Sequence, residues 1–495
     1  MHEDVERILE GLDDDQRLAA TSVEGPVRIV AVAGAGKTRT ITRRIAYACA
    51  SGLWDPDKVL AVTFSVKAAS EMRSRLTSLG VGEAVRAATF HSAALRQLRR
   101  VWPDLSDGPF PRVLEDQHDL VARSLARVLI DEGLPDSDVR DVQAEINWCK
   151  TSLIAPEDYP RVCAASSRRP PAGLGPDRFV EVYSTYEQEK SYRGRIDFDD
   201  ILLLLCHVLD AYPEVARRIR GNVGWLTVDE FQDVSPVQYR LMRLWLGTNR
   251  NVCVVGDPAQ TIYSFAGATS HYLMEFPRDF APVSEDVVLR TDYRSTPQVV
   301  SWANRILGAS PDRDDYIRLS PVRDKGRRVT RTVYETDDEE AQGVARSILR
   351  LVDSGVRPSD CAILTRINAQ QSVVCDALRL VGLRYRVRRD AQWDEGGSTE
   401  ESRRAALESL GLPVDGGAVT ISTIHAAKGL EFAHVFVVGC SEGLMPYGGP
   451  TGGDSLEEER RLLYVAVTRA RDSLHFSYAS GVDGRGSVRE PSRFL

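Results

Sequence analysis

The stretch Val27-Arg-Ile-Val-Ala31-Val-Ala-Gly34-Ala35-Gly36-Lys37-Thr38 decides how this chain is read. Val27 to Val32 is short, apolar and β-branched, the pattern of a strand buried on both faces. Gly34 and Gly36 break it, and Ile41 and Ile45 then recur at helical spacing. A glycine turn between a buried strand and a helix is the context of a phosphate-binding loop. Backbone N–H groups and the helix N-terminus would face phosphate, Lys37 would reach the β- and γ-phosphates, and Thr38 would ligate Mg²⁺. Gly34, Ala35, Gly36, Lys37, Thr38 and Arg39 are the expected nucleotide contacts. Ala31 stands where the general pattern has its first glycine.

Working outward, Lys58 to Phe64 reads as a second strand and Lys67 to Leu76 as a helix. Trp225 to Val228 and Asn251 to Val255 are further apolar strands, each followed by an aspartate-bearing loop. Alternating strands and helices predict a parallel α/β sheet. From Leu95 to about Arg195 the texture is helical, with loop punctuation at Pro103, Pro109, Pro111 and 166–176. A second alternating set begins near Val287, with strands at Val329–Tyr334, Cys361–Leu364, Val419–Thr423 and Val435–Val438. Between them, Glu339–Leu351 and Ala369–Leu380 read as helices. Asp390 to Gly417 is a short polar stretch with one weak helix around Glu400 to Leu410.

Val228-Asp229-Glu230-Phe231-Gln232-Asp233 closes one of these strands. Asp229 at a strand end suits Mg²⁺, and Glu230 beside it suits orienting and deprotonating an attacking water. Alone, this is equally an acidic turn; beside a phosphate loop, the two acids complete a hydrolytic site.

The 495 residues carry a net charge of −8, with 43% hydrophobic and 27% charged residues. That length exceeds one compact domain. A nucleic-acid site must be a local basic patch on an acidic body. Arg96, Arg99 and Arg100, and the run from Arg323 to Arg331, are candidates, although a solvated surface is the commoner fate. The eight cysteines form no C-x-x-C pair, which argues against a zinc or iron–sulfur site. The acidic start predicts no secretory leader, and Ile201 to Leu205 is too short to span a bilayer. A cytoplasmic, nucleoid-associated protein is expected.

Read in order, further segments resemble the UvrD/Rep/PcrA group of superfamily 1 DNA helicases over nearly the whole chain. Leu12-Asp-Asp-Asp-Gln16 looks like the Q motif, and Thr63-Phe-Ser-Val-Lys-Ala-Ala-Ser-Glu-Met72 like motif Ia. Thr89-Phe-His-Ser92 resembles motif Ib, and Asp197-Phe-Asp-Asp200 a further segment. Gly256 to Gly267 is similar to motif III, and Asp292-Tyr-Arg-Ser295 to motif IV. Thr423 to Glu431 resembles motif V, and Glu457 to Ala470 motif VI.

The resemblance implies two RecA-like P-loop domains with parallel sheets flanked by helices. Residues 1–95 and 196–286 would form the ATP-binding domain 1A, and 96–195 a helical insertion, 1B. Residues 287–389 and 418–495 would form 2A, with 390–417 a short linker, a remnant where typical members carry the 2B subdomain. It also implies roles. Gln16 would read adenine, Tyr293 would stack on it, and Glu431 would bond the ribose. Gln260 would sense the γ-phosphate, with Arg294 and Arg469 as arginine fingers. ATP would then lie between the domains. Phe64, Thr89, His91, Tyr263, Phe265 and His425 match DNA-contacting positions, although an aromatic after a strand is often core.

Some residues depart from the family. Ala266 replaces the usual arginine of motif III, Pro258-Ala259 replaces a more acidic pair, and Val66 replaces an asparagine. The resemblance implies an ATP- and Mg²⁺-dependent motor on single-stranded DNA and single-strand/duplex junctions, 3′→5′ and of the DNA-repair type. Its protein partners are unknown. The rivals are a translocase that remodels protein–DNA complexes without unwinding and a non-catalytic, nucleotide-gated DNA clamp.

Overall fold

The computed structural model describes residues 2–130, 135–166, 168–388, 417–481 and 488–495. These form two compact units. The first holds residues 1–30, 37–256 and 263–288; the second holds 289–495 with two short segments, 31–36 and 257–262.

The first unit is built on a six-stranded sheet. Its strands are β1 (Val27–Ala31), β2 (Val59–Thr63), β3 (Arg86–Thr89), β6 (Trp225–Val228), β7 (Val252–Gly256) and β8 (Glu285–Leu289). They lie in the order β3-β2-β6-β7-β1-β8, and the pairs β2–β3, β2–β6, β6–β7 and β1–β7 are parallel. The expected second set, starting near Val287, opens inside β8, a strand of this first sheet. Five-residue runs such as Val59–Thr63 are buried throughout, because helices cover both faces. Helices Phe90–Val101, Phe198–Ala211 and Pro236–Leu246 press Phe90, Leu205 and Trp245 onto Leu60, Val62, Leu226 and Val254. Each fully buried side chain of this size contributes roughly 1.5–3 kcal/mol.

The helical segment has its own core. Helices His118–Leu129, Asp136–Thr151, Tyr159–Ser166 and Pro176–Tyr192 bury Leu120, Leu125, Val142, Ile146, Tyr159, Phe179 and Tyr186 together. Its ends meet in a two-stranded parallel ladder, β4 (Arg112–Val113) with β5 (Arg195–Ile196). Beside that ladder lies a buried ionic cluster. Lys150 contacts Asp197, Asp200 Oδ1 at 2.7 Å and Glu187 at 2.8 Å. Lys190 reaches Asp197 Oδ2 at 2.9 Å and Asp200 Oδ2 at 2.6 Å. Tyr186 donates to the same Asp197 oxygen at 2.8 Å. Burial alone would raise the Asp197 proton affinity, but the two ammonium groups outweigh it and hold the carboxyl below the usual range. The three carboxylates are close enough to hold a metal ion, yet two lysine side chains already supply the positive charge.

The second unit carries a six-stranded sheet in the order β11-β16-β15-β12-β14-β13, parallel at every pairing. A short parallel ladder, β9 (Thr291–Asp292) with β10 (Ser320–Pro321), precedes it. The sheet strands are β11 (Thr330–Tyr334), β12 (Cys361–Thr365), β13 (Tyr385–Arg388), β14 (Val419–Thr423), β15 (Phe432–Val437) and β16 (Ala470–Ala479). Helices Asp337–Asp353 and Gln371–Leu380 cover one face with Val344, Ile348, Val374 and Leu378. The chain therefore holds two parallel sheets flanked by helices, the RecA-like arrangement. The expected linker 390–417, with its weak helix at 400–410, lies outside the described residues but for Gly417. No helix among the described residues is long and apolar enough to cross a membrane.

Candidate active site

β1 leads through the glycine turn into the helix Lys37–Ala50. Gly34 and Gly36 both have φ of +77°, a conformation that L side chains rarely adopt. At Gly34 a Cβ would also lie 2.1 Å from Asp292 Oδ1. Arg39 of the expected nucleotide set is anchored by donating to the Gly11 carbonyl at 2.8 Å. Gln16 is buried and shares a capping box with Asp13, the Gln16 N–H donating to Asp13 Oδ1 at 2.7 Å.

The acids stand at the end of β6. Glu230 adopts a left-handed backbone, φ 51°, which non-glycine residues adopt mainly where function or context imposes it. Its N–H donates to Asp229 Oδ1 at 2.9 Å. Its carboxylate Oε2 lies 3.7 Å from Lys37 Nζ and accepts from Gln232 Nε2 at 2.7 Å. Burial pushes the Asp229 carboxyl up to about 7; Glu230 adds to this and Lys37 opposes it. A buried carboxyl reluctant to ionise is a natural seat for a divalent cation, which favours the charged form. The Asp229 carboxylate and Thr38 hydroxyl are hard oxygen donors of the kind Mg²⁺ takes. Bound there with a nucleotide, Mg²⁺ would neutralise charge on the phosphate oxygens.

In the second unit, Gln260, Arg469, Arg294, Tyr293 and Glu431 come into two linked groups. Arg469 is buried. It donates through Nε to the Val465 carbonyl at 3.0 Å, through Nη1 to the Leu430 carbonyl at 3.0 Å and through Nη2 to Gln260 Oε1 at 3.3 Å. Gln260 Nε2 donates to Asp257 Oδ2 at 2.8 Å, and Lys428 Nζ donates to the Gln260 carbonyl at 2.6 Å. The second group is the Asp292–Ser295 loop. Asp292 is buried, and its Oδ1 accepts from the N–H groups of Arg294 at 2.7 Å and Ser295 at 3.0 Å. Arg294 pairs through Nε with Glu431 Oε2 at 2.6 Å. The finger candidate and the ribose candidate are thus each other's partner here. Tyr293 is 41% exposed and donates its N–H to the Gly34 carbonyl at 3.1 Å.

The DNA candidates divide by burial. Phe64 and Tyr263 stack at 5.7 Å, and Phe265 meets Tyr263 edge-on at 6.0 Å. Tyr263 is buried within this series, whereas Phe265 is 52% exposed. The Thr89 side chain caps the helix Phe90–Val101, accepting from the Ser92 N–H at 3.1 Å. His91 stacks on Phe198 at 3.8 Å; burial pushes its imidazole down to about 3, so it is neutral. His425 is lowered to about 4 by burial, with Arg366 and Lys428 adding to it. Of the basic stretches, Arg96, Arg99 and Arg100 are exposed, as are Lys325, Arg327, Arg328 and Arg331. Arg323 departs from its expected place in that surface strip, because its guanidinium is tied to neighbouring backbone.

Several members of the site carried no assigned role in the sequence. Gln232 holds Glu230, and Lys428 holds Gln260. Tyr464, fully buried, donates to Asp257 Oδ2 at 3.2 Å. Gln232 stands two residues from Glu230 in one motif, so proximity was a usable signal. The others lie far from their partners in the chain.

Residues 12–281 match the UvrD/REP helicase N-terminal domain, and residues 287–392 and 404–481 match the UvrD-like helicase C-terminal domain. The ATP-dependent DNA helicase UvrD2 of Mycobacterium tuberculosis is 40% identical, over 99% of this chain and 81% of that protein. The ATP-dependent DNA helicase PcrA of Leuconostoc citreum is 26% identical over 99% of this chain and 85% of its own length. The Bacillus subtilis PcrA is 33% identical over 77% and 51%.

Proposed function

Because the chain belongs to the UvrD-like ATP-dependent DNA helicases, we propose that it is a 3′→5′ motor on single-stranded DNA. It acts in DNA repair or related DNA metabolism, at the nucleoid, and hydrolyses Mg²⁺–ATP. The observation that carries this reading is Lys37 Nζ 3.7 Å from Glu230 Oε2, beside the buried Asp229. A phosphate counter-charge, a base for the attacking water and a metal carboxylate then serve one reaction.

In this reading Gly34, Ala35 and Gly36 hold the phosphates through backbone N–H groups, while Glu230, braced by Gln232, takes a proton from water. Arg469 and Arg294 stabilise charge that develops in the transition state. Their present partners, the Gln260 amide oxygen and the Glu431 carboxylate, hold them ordered until phosphate replaces them. Phe265 offers its face to a base. Asp390 to Gly417 is too short in sequence for a 2B subdomain with its own core. Translocation on single strands is therefore brisk, and unwinding of long duplexes by the lone chain is weak. Stopped-flow assays on single strands labelled at the 5′ or the 3′ end, and on tailed duplexes, test this. Arrival only at the 5′ end is expected; arrival at the 3′ end refutes the polarity, and robust unwinding by a monomer refutes the last statement.

A further inference from the structure

The basic run after the Asp292–Ser295 loop holds Arg318, Arg323, Lys325, Arg327, Arg328 and Arg331 against one carboxylate, Asp324. Its neighbours Lys325, Arg327 and Arg328 are exposed, and Arg323 is only partly so. The ladder of β9 with β10 explains why. Ser320 pairs with Thr291 and Pro321 with Asp292, and the Val322 N–H donates to the Asp292 carbonyl at 3.3 Å. Arg323 is thereby delivered alongside the loop that carries Arg294.

There its guanidinium makes three contacts. Nη1 donates to the Arg294 carbonyl at 2.6 Å and to the Arg471 carbonyl at 3.1 Å; Nη2 donates to Asp472 Oδ1 at 2.8 Å. Arg471 and Asp472 stand two and three residues after Arg469. One planar fork therefore joins the backbone of the two segments that bear Arg294 and Arg469. Two further bonds run between the same segments: Ser295 Oγ to the Ala470 carbonyl at 2.8 Å, and the Thr296 N–H to the Arg471 carbonyl at 3.0 Å.

We propose that Arg323 is a positioning residue for catalysis, setting the register of the Arg294 loop against the Arg469 segment so that both guanidinium groups meet the γ-phosphate together. The proposal rests on the arginine-finger reading above. Arg323 touches no reacting atom. Its effect is geometric, and misplacement of a catalytic group by about 1 Å lowers a rate by about 100-fold. A lysine has the charge and three donors, but its compact ammonium lacks the rigid planar fork that spans two segments, so it should hold their register less well.

The test compares Arg323→Ala, Arg323→Lys and Arg294→Ala in the full chain, by steady-state ATPase with saturating single-stranded oligonucleotide. ATP KM, binding of a fluorescent ATP analogue and the melting temperature are measured in parallel. Arg323→Ala is expected to lower kcat about 10–100-fold, with KM, analogue binding and melting close to the parent chain. Arg323→Lys is expected to fall between the two. Normal kcat in Arg323→Ala beside a collapsed kcat in Arg294→Ala overturns the positioning role and leaves the finger reading standing. A kcat loss matched by a loss of melting temperature and of analogue binding overturns it in favour of a purely structural brace. Full rescue by lysine overturns the fork argument. Normal kcat in Arg294→Ala overturns the finger reading itself and the proposal with it.

Discussion

Asp229→Asn separates the stability of the site from its activity, and the sign follows from burial. In the folded chain the Asp229 carboxyl keeps its proton up to about 7, against 3.8 for an ordinary aspartate. Between those two pH values the folded state binds the proton and the unfolded state releases it. Stability therefore falls as pH rises through this window and levels off above it. About three pH units at about 1.4 kcal/mol each give about 4 kcal/mol. Asparagine does not titrate, and its oxygen can still accept from the Glu230 N–H. The variant should thus match the parent near pH 4 and exceed its stability by up to about 4 kcal/mol near pH 8, while losing ATP hydrolysis. Thermal and urea unfolding of both chains in EDTA, from about pH 5 to 8, measures the difference. Mg²⁺ with an ATP analogue should narrow it by stabilising only the parent. A variant less stable than the parent at pH 8, or a gap of equal size at pH 5 and pH 8, refutes the reasoning.

Lys37→Ala should weaken ATP binding, whereas Glu230→Gln should bind ATP and fail to turn it over; filter binding beside ATPase rates distinguishes them, and near-normal turnover in Glu230→Gln removes the base assignment. Phe265→Ala should leave basal ATPase intact and lower affinity for single-stranded DNA by about 1–3 kcal/mol, measured by fluorescence anisotropy. Asp197→Asn removes the carboxylate that both buried lysines share and should destabilise the chain by about 3–5 kcal/mol. The parent's own advantage from Asp197 should be lost as pH falls below the ordinary aspartate range, because that carboxyl is held low when folded; calorimetry across pH reads both effects.

How much the sequence revealed depended on whether a residue's partner was local. Trp225–Val228 and Val419–Thr423 end in the structure where their apolar patterns end. Arg86-Ala-Ala-Thr89 was not expected as a strand, since it lacks a β-branched core run and is held by pairing with β2. Ala470–Ala479 was also missed, because its alternation of polar and apolar residues is decided by neighbours on either side. The glycine turn between strand and helix, and the two acids at a strand end, were legible in the structure's own terms, because both are set by local sequence. The capping box Asp13-x-x-Gln16 was legible too, but was absorbed into the adenine reading. Arg323 shows the opposite case. A run of arginines predicts a charged surface, and only the β9–β10 register selects which one turns inward to carbonyl groups.

The place of β1 in its sheet has a consequence for how the chain is made. Val27 pairs with Cys253, and β8 closes the other edge of that strand. A growing polypeptide emerges N-terminus first at about 5–20 residues per second, so the phosphate loop waits about 10–50 s for its supporting strand. During that interval the helical segment, whose core is drawn from residues 120–186, can already fold on its own contacts. Ribosome-bound chains halted before Val252 should therefore protect the helical segment from protease while leaving Val27 to Thr38 open to cleavage and unable to grip ATP. The motor becomes competent only once both edges of its first strand have been synthesised.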